Sequence, residues 1–175
     1  MENERQDNLA LQGQPGSLAW LMRWHRHDDV TSRKLIPYGS MYVNNGSQSV
    51  TISATDTYVQ VGGGMSTGLT SGFTFQNSKE LKAGEFGIYL ITWSMSVQCA
   101  IAGQEVEGTI MVNGVANTTV TGHAELITAD KPEVVSGSGI ISLGANDLVS
   151  LTVANHTAAN NLIVPHASIS IIKIA

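Results

Sequence analysis

The sequence contains one motif of the kind that holds a catalytic serine. Residues 64–68 read Gly-Met-Ser-Thr-Gly, the G-x-S-x-G pattern in which a sharp turn from a strand into a helix exposes the serine. The residues that follow, 69–73, have no helical period. Later residues do stand in the order that such a hydrolase needs, namely Asp130 or Asp147 and then His156 or His166. Serine and glycine are common in this chain, so we predict that it is not an enzyme and keep an esterase based on Ser66 as the alternative.

The histidines do not form a recognisable metal-binding pattern. His25 and His27 are two residues apart, so on a helix they would point in different directions. His123, His156 and His166 fall at the ends of predicted strands, without a cysteine or a pair of carboxylates close by in the sequence. The sequence therefore predicts no metal and no cofactor. One alternative stays open, because a trimer would bring three copies of one histidine together around its axis.

The composition is poor in charge, and that charge is unevenly distributed. Asp, Glu, Lys and Arg make up 13% of the 175 residues, about half of the roughly 25% found in a typical soluble domain. Short polar side chains lose little conformational entropy when an interface immobilises them. Residues 35–175 hold four lysines, nine acidic residues and no arginine, a net charge of 4 − 9 = −5. An acidic body without arginine argues against nucleic-acid binding, which needs cations along the phosphates.

The chain shows no sign of a membrane or secretory destination. Its longest apolar runs fall short of the roughly 18 residues that span a bilayer. The first eight residues are polar, unlike the start of a signal peptide. Cys99 is the only cysteine, so an intramolecular disulfide is excluded. We expect synthesis in a host cytoplasm.

Residues 1–34 differ in texture from the rest and form a predicted N-terminal arm. Ser17 is a suitable cap for a short helix in which Leu18, Leu21 and Met22 share one face. An arm this short and this aromatic has to pack against its own domain, a sister subunit or a different protein. We predict that it docks through five side chains: Leu18, Trp20, Leu21, Met22 and Trp24.

From residue 35 onward the sequence is typical of β structure. Short runs rich in Val, Ile, Thr and Tyr alternate with Gly, Asn and Ser clusters. Asn113-Gly114 is a strong two-residue hairpin signal. The pattern predicts an all-β jelly-roll sandwich of about ten strands over residues 35–175. The candidate strands are 40–44, 48–53, 57–61, 73–76, 86–99, 106–113, 116–122, 134–143, 147–154 and 163–174.

Two of these strands are apolar on both faces at one end. In residues 87–99 every second residue from Tyr89 is apolar, and Ile88 and Leu90 add apolar side chains to the opposite face. A sandwich strand with one solvated face should alternate throughout. The last strand repeats this feature. We therefore predict that one sheet packs inward on its partner sheet and outward on neighbouring subunits. The predicted interface residues are Ile88, Tyr89, Leu90, Ile91, Trp93, Ile171, Ile172 and Ile174.

Residues 81–91, Leu-Lys-Ala-Gly-Glu-Phe-Gly-Ile-Tyr-Leu-Ile, resemble the signature strand of the tumour necrosis factor ligands. Gly87, Tyr89, Ile91 and Trp93 also resemble a run in the globular heads of the first complement component. Residues 137–151 are similar to the family's late strand pair. The resemblance covers roughly residues 40–175. The chain departs from the pattern at Ala83, where a larger aliphatic residue is usual, and at Asn146, where glycine is usual.

The resemblance implies a compact homotrimer with one sheet at its axis. Jelly rolls of this composition, made in a cytoplasm, resemble decoration, fibre and tail-accessory proteins of bacteriophages, which is an analogy between folds. We therefore expect a structural protein of the virion, attached to a capsid or tail protein by the arm. The alternative is a module of the same fold that binds carbohydrate or protein through the loops at 62–72 and 154–162.

Overall fold

The structure is a computed structural model that describes residues 35–43 and 46–175. The predicted helical arm at residues 1–34, with its docking side chains Leu18, Trp20, Leu21, Met22 and Trp24, lies outside the described residues. No helix long and apolar enough to cross a bilayer occurs within the described ranges.

All of the regular secondary structure in the described residues is β-strand, which confirms the predicted all-β class. Each of the ten predicted strands overlaps an observed one, and two further strands, β4 and β6, were not predicted. The strands are β1 (Tyr38–Val43), β2 (Gln48–Val50), β3 (Val59–Gln60), β4 (Ser66–Ser71), β5 (Phe73–Gln76), β6 (Glu80–Ala83), β7 (Gly87–Cys99), β8 (Gln104–Val112), β9 (Val115–Leu126), β10 (Glu133–Leu143), β11 (Leu148–Asn155) and β12 (Leu162–Lys173).

The strands are arranged in two antiparallel sheets that pack as a sandwich. Sheet A has the order β10-β7-β12-β1-β4, and β2 pairs with the first three residues of β12, 162–164. Sheet B has the order β5-β6-β11-β8-β9, and β3 pairs with β11. Strand β7 pairs with β10 over residues 87–97 and with β12 over residues 89–99, with one irregularity in the second pairing. The two-layer arrangement is consistent with a jelly roll.

The core lies between the sheets and takes up one face of β7 completely. Tyr89, Ile91 and Trp93 are at most 4% exposed, and Ile171 on β12 is 2% exposed. These four predicted interface residues therefore pack within a single subunit and offer no surface to another copy. The sequence pattern identified two apolar faces, but sheet B of the same subunit already covers one of them.

The turn predicted at Asn113-Gly114 connects β8 to β9, and both residues have positive φ, 51° and 82°. Such values suit a tight hairpin whose twist matches its strands. The side-chain amide of Asn113 donates from Nδ2 to Asp147 Oδ1 over 2.8 Å. The backbone N–H of Leu148 donates to Asn113 Oδ1 over 2.9 Å. The hairpin is thereby tied to the start of β11.

Candidate functional site

A row of four apolar side chains crosses the outer face of sheet A. The register aligns Tyr38 on β1 with Ile172 on β12, Ile172 with Leu90 on β7, and Leu90 with Ile140 on β10. Their exposures are 40%, 42%, 36% and 62% in that order. We call these four residues the apolar row. Aligned neighbours on one face of a sheet touch one another, so the row is a continuous apolar stripe.

The next row on the same face is polar and made of short side chains. Ser40, Ser170, Thr92 and Ser138 occupy the aligned positions two residues along each strand. Between the two rows lies an open depression of about 330 Å³, which the side chain of Leu69 on β4 also lines. Leu69 is 78% exposed. The outer face of sheet A is thus apolar along the apolar row and polar along the row beside it, and the exposed Tyr42 and Val134 lie further along the same face.

The apolar end continues past the row to the end of the sheet. Ile174 is 50% exposed and Phe86 67% exposed, and the backbone N–H of Ile174 donates to the carbonyl of Ile88 over 2.8 Å. An ion pair of 2.6 Å between Lys173 and Glu85 holds the C-terminal residues there. Of the eight predicted interface residues, four lie on this outer face, namely Ile88, Leu90, Ile172 and Ile174.

A second feature, on sheet B, is a cluster of one carboxylate and two imidazoles. Glu107 on β8 is aligned with His123 on β9 and with Ala154 on β11. His156 follows two residues after Ala154, just beyond the end of β11. Glu107 is 9% exposed, whereas the side chain of His123 is 50% exposed and that of His156 is 21% exposed. Three neighbouring strands thus place these side chains together.

The distances within the cluster are short. Glu107 Oε2 lies 2.6 Å from His123 Nε2 and 3.3 Å from His156 Nε2. The two imidazole rings are almost parallel, with an interplanar angle of 4° and a centroid separation of 5.5 Å. One ligand atom from each of the three residues lies within 4.8 Å of the others. We call Glu107, His123 and His156 the Glu-His-His cluster.

Each member of the cluster has a second polar partner. Tyr58 donates its hydroxyl to Glu107 Oε1 over 2.6 Å. His156 Nδ1 lies 2.6 Å from Asp56 Oδ1, and His123 Nδ1 lies 3.5 Å from Glu105 Oε1. The side chains of Asp56 and Glu105 are 73% and 60% exposed. The two contacts of 2.6 Å orient the side chains of Glu107 and His156, whereas His123 has the longer contact.

The surroundings shift the pKa values of this network in opposite directions. Burial, followed by the hydrogen bond to Glu107, raises the pKa of Tyr58 to about 12. Burial by itself would raise the pKa of Glu107, but the hydrogen bonds from Tyr58 and His123 outweigh it and leave that pKa below its ordinary value. The hydrogen bond to Asp56, opposed by burial, raises the pKa of His156. At neutral pH Glu107 is therefore an anion facing two imidazoles.

The fold brings carboxylates to His123 and His156, although the sequence places no pair of carboxylates close to either. The ring nitrogens of His123 contact Glu107 and Glu105, and those of His156 contact Asp56 and Glu107. Asp56 and His156 are 100 residues apart in the sequence, so linear spacing could not reveal their contact. The alternation of β8 places Glu105 and Glu107 on one face, which is the only local signal.

The geometry required for a catalytic serine is missing at Ser66. Ser66 is the exposed first residue of β4, where it pairs with Tyr42 at the edge of sheet A, and a further strand, β5, comes next in the described chain. A nucleophile elbow needs a helix there. Two of the four proposed partners are engaged elsewhere, since Asp147 accepts from Gly144 and Asn113 and His156 contacts Asp56.

No family model matches the sequence, and no curated protein matches it significantly. Solved structures do match. The Eiger TNF of S. frugiperda has a TM-score of 0.60 at 15% identity, covering 80% of this chain and 93% of that one. Murine APRIL at pH 5.0 has a TM-score of 0.53 at 14% identity, covering 79% and 99%. The fold is a TNF-like jelly roll. This agrees with the resemblance read from residues 81–91.

The two features described above lie on different sheets of the TNF-like jelly roll. The apolar row belongs to sheet A, which contains the signature strand β7. The Glu-His-His cluster is built on β8, β9 and the end of β11 in sheet B. An assembly formed through the outer face of sheet A therefore uses none of the strands that carry the cluster.

Proposed function

We propose that the chain is a non-enzymatic structural protein that assembles as a homotrimer through the outer face of sheet A and attaches to a virus particle through residues 1–34. The observation that carries the assembly is the apolar row, Tyr38, Ile172, Leu90 and Ile140, which crosses four adjacent strands and is between 36% and 62% exposed. A partner that covers this row removes continuous apolar surface from water.

The energetics favour assembly over leaving the row solvated. Complete burial of a Leu or Ile side chain contributes about 1.5–3 kcal/mol relative to leaving it exposed. In a trimer each subunit contributes its own row, so the gain is repeated around the axis. The neighbouring Ser40, Ser170, Thr92 and Ser138 are short and uncharged, so a close approach of subunits desolvates no charge and immobilises no long side chain.

A charge placed on the apolar row tests the assembly. We expect Ile172→Lys and Ile140→Lys each to convert a trimer into a folded monomer, because a lysine would be buried without a partner in the trimer. Val115→Lys is the matched control, since Val115 is an aliphatic residue that is 70% exposed on sheet B. Sedimentation velocity over a range of concentrations gives the oligomeric state, and circular dichroism checks the fold. A wild-type chain that sediments as a monomer at 100-fold dilution and at high concentration alike would refute the trimer.

The attachment step rests on the composition of the arm. Leu18, Trp20, Leu21, Met22 and Trp24 concentrate apolar and aromatic surface in a short segment, and three arms per trimer would multiply a weak individual affinity. We expect a chain without residues 1–34 to remain a trimer and to lose co-sedimentation with purified virus particles. A truncated trimer that still co-sediments would show that the arm is not the attachment device, while leaving the trimer intact.

A binding module of the same fold is the second candidate, and the likeness to Eiger TNF and APRIL is compatible with it. The prediction of a contact loop at 62–72 is wrong for residues 66–71, which form β4, whereas residues 156–161 do form a loop between β11 and β12. A glycan array probed with the wild-type protein tests this candidate. Specific binding that is lost on substitution in the loop after β11, but kept without the arm, would favour a binding module over a virion role.

A further inference from the structure

We propose that the Glu-His-His cluster binds one first-row divalent cation per subunit, Zn²⁺ being the ion whose chemistry fits best. Two imidazoles and a carboxylate are a ligand set that zinc accepts in proteins, with a fourth position left for water. Imidazole also suits copper, nickel and iron, whereas calcium and magnesium prefer oxygen ligands alone. The site is contained within one subunit, so it does not depend on the proposed trimer.

The spacing of the donor atoms is close to what such an ion needs. Ligand atoms bonded to a tetrahedral zinc at ~2.0–2.1 Å are separated by roughly 3.3 Å. His156 Nε2 and Glu107 Oε2 are already 3.3 Å apart. His123 Nε2 is only 2.6 Å from the same oxygen, which is a direct hydrogen bond that an ion would replace. The ring of His123 also has to turn out of its parallel stack with His156, and its 50% exposed side chain leaves it room to do so.

His156 is prepared as a ligand by its other contact. Asp56 Oδ1 lies 2.6 Å from Nδ1 of His156, which holds the ring proton at Nδ1 and leaves a lone pair on Nε2. That Nε2 atom is buried and makes no hydrogen bond to any described residue. An imidazole that donates one ring N–H to a carboxylate and bonds a metal with the other nitrogen is the usual arrangement of a zinc histidine. A cation between Nε2 and Glu107 would satisfy the buried nitrogen.

The other two ligands have outer partners as well. Tyr58 donates to the oxygen of Glu107 that does not face the histidines, which leaves Oε2 for the ion. Glu105 lies 3.5 Å from Nδ1 of His123. Outer contacts of this kind orient ligands and raise their basicity. Glu107 and His156 are therefore supported in the way that metal ligands are supported, and His123 has a longer outer contact.

The site opens to solvent on the side of His123 and is electrostatically suited to a cation. An open depression of about 600 Å³ is lined by Glu105, His123, Glu125 and Thr157 among others. Asp56, Glu105 and Glu107 bring three carboxylates to two imidazoles, so the cluster is anionic once the histidines are neutral.

Zinc binding to the untagged full-length chain tests the proposal. We expect isothermal titration with Zn²⁺ at pH 7.5 to give one ion per subunit, and Glu107→Gln and His156→Ala each to weaken binding at least 100-fold. Asp56→Asn, which loses only the outer partner, should weaken binding by about 10–100-fold. The matched control is His166→Ala, because His166 is an exposed histidine on β12 of sheet A. Circular dichroism verifies that each variant is folded.

Several outcomes would overturn the site. A wild-type protein that binds no zinc at 100 µM would overturn it. Zinc binding that is unaffected by Glu107→Gln would also overturn it, because the ion would then be held by His25, His27 or another group. One ion per three chains that is lost in His166→Ala would instead indicate a histidine ring around the axis. Repeating the titration with the Ile172→Lys chain separates the metal site from the proposed trimer. If that chain is a monomer and still binds one zinc ion, the metal site is supported independently of the trimer.

Discussion

Trp93 lies in a slot whose width is set by two glycines. A Cβ added to Gly137 on β10 would lie 2.8–2.9 Å from Cζ2, Cε2 and Nε1 of the indole, and one added to Gly108 on β8 would lie 2.8 Å from its Cη2. The indole N–H donates to the carbonyl of Val120 over 3.1 Å. Trp93 was expected at a trimer interface, but these contacts make it the residue that joins the two sheets of one subunit.

We therefore predict that Gly137→Ala destabilises the domain by about 1–3 kcal/mol, the usual cost of overpacking a filled core. The penalty should shrink in a Trp93→Phe background, because phenylalanine lacks the indole atoms that the new methyl group would meet. A double-mutant cycle from urea unfolding should then give a coupling energy of about 0.5–3 kcal/mol. Additive effects of the two substitutions would mean that the slot can widen and that the close fit is unimportant.

The local sequence predicts which residues of one strand share a face, but it does not predict the contacts within the Glu-His-His cluster. Alternation predicted that Tyr89, Ile91 and Trp93 share a face, because the period of a strand is a local property. It could not say whether the covering layer belongs to the same subunit or to another one. The meeting of Glu107, His123 and His156 depends on which strands become neighbours in sheet B. That pairing is not encoded in the spacing of the three residues.

At the scale of elements, the hairpin between β8 and β9 depends on its glycine. Gly114 has φ = 82° and open space around its Cα, so an added methyl group meets no neighbour and acts only through the backbone. We predict that Gly114→Ala lowers the free energy of unfolding by about 1 kcal/mol, because an L-residue is disfavoured at positive φ. Gly144→Ala is the control, since its Cβ would make ordinary contacts from 3.4 Å outward without a positive φ. Urea unfolding of both variants checks this, and equal effects would contradict it.

The two strands that the sequence did not predict are the ones with the weakest local signal. β4, Ser66–Ser71, is polar and mostly exposed and pairs only with β1 among the described strands. β6, Glu80–Ala83, alternates twice but has only four residues, of which Leu81 and Ala83 are buried. Tertiary pairing determines such strands, because β4 is too polar and β6 too short for the local sequence to indicate the conformation. The long strands β7 and β10 were predicted to within one residue at each end, since apolar residues alternate along β7 and lie near both ends of β10.

At the scale of the whole molecule, the outer face of sheet A and the cluster on sheet B differ in whether their proposed roles need a second chain. The apolar row is exposed among the described residues, and coverage of it by another chain would make folding depend on concentration. The Glu-His-His cluster is complete within one subunit, so its properties should be the same at any concentration. Stability measured against protein concentration therefore reports on the first feature without involving the second.

We predict that the thermal midpoint of the wild-type chain rises with protein concentration. If three unfolded chains form one folded trimer, a 100-fold increase in concentration adds about 1.8 kcal/mol per subunit, two thirds of RT ln 100. For a domain of this size that corresponds to roughly 4–7 °C. Differential scanning calorimetry between 2 and 200 µM, at two scan rates to verify reversibility, measures the shift. The Ile172→Lys chain should show a midpoint independent of concentration, whereas Val115→Lys should behave as the wild type does. A wild-type midpoint that stays constant would mean that the subunit is stable alone with its apolar row in water, and the assembly proposed for sheet A would have to be abandoned.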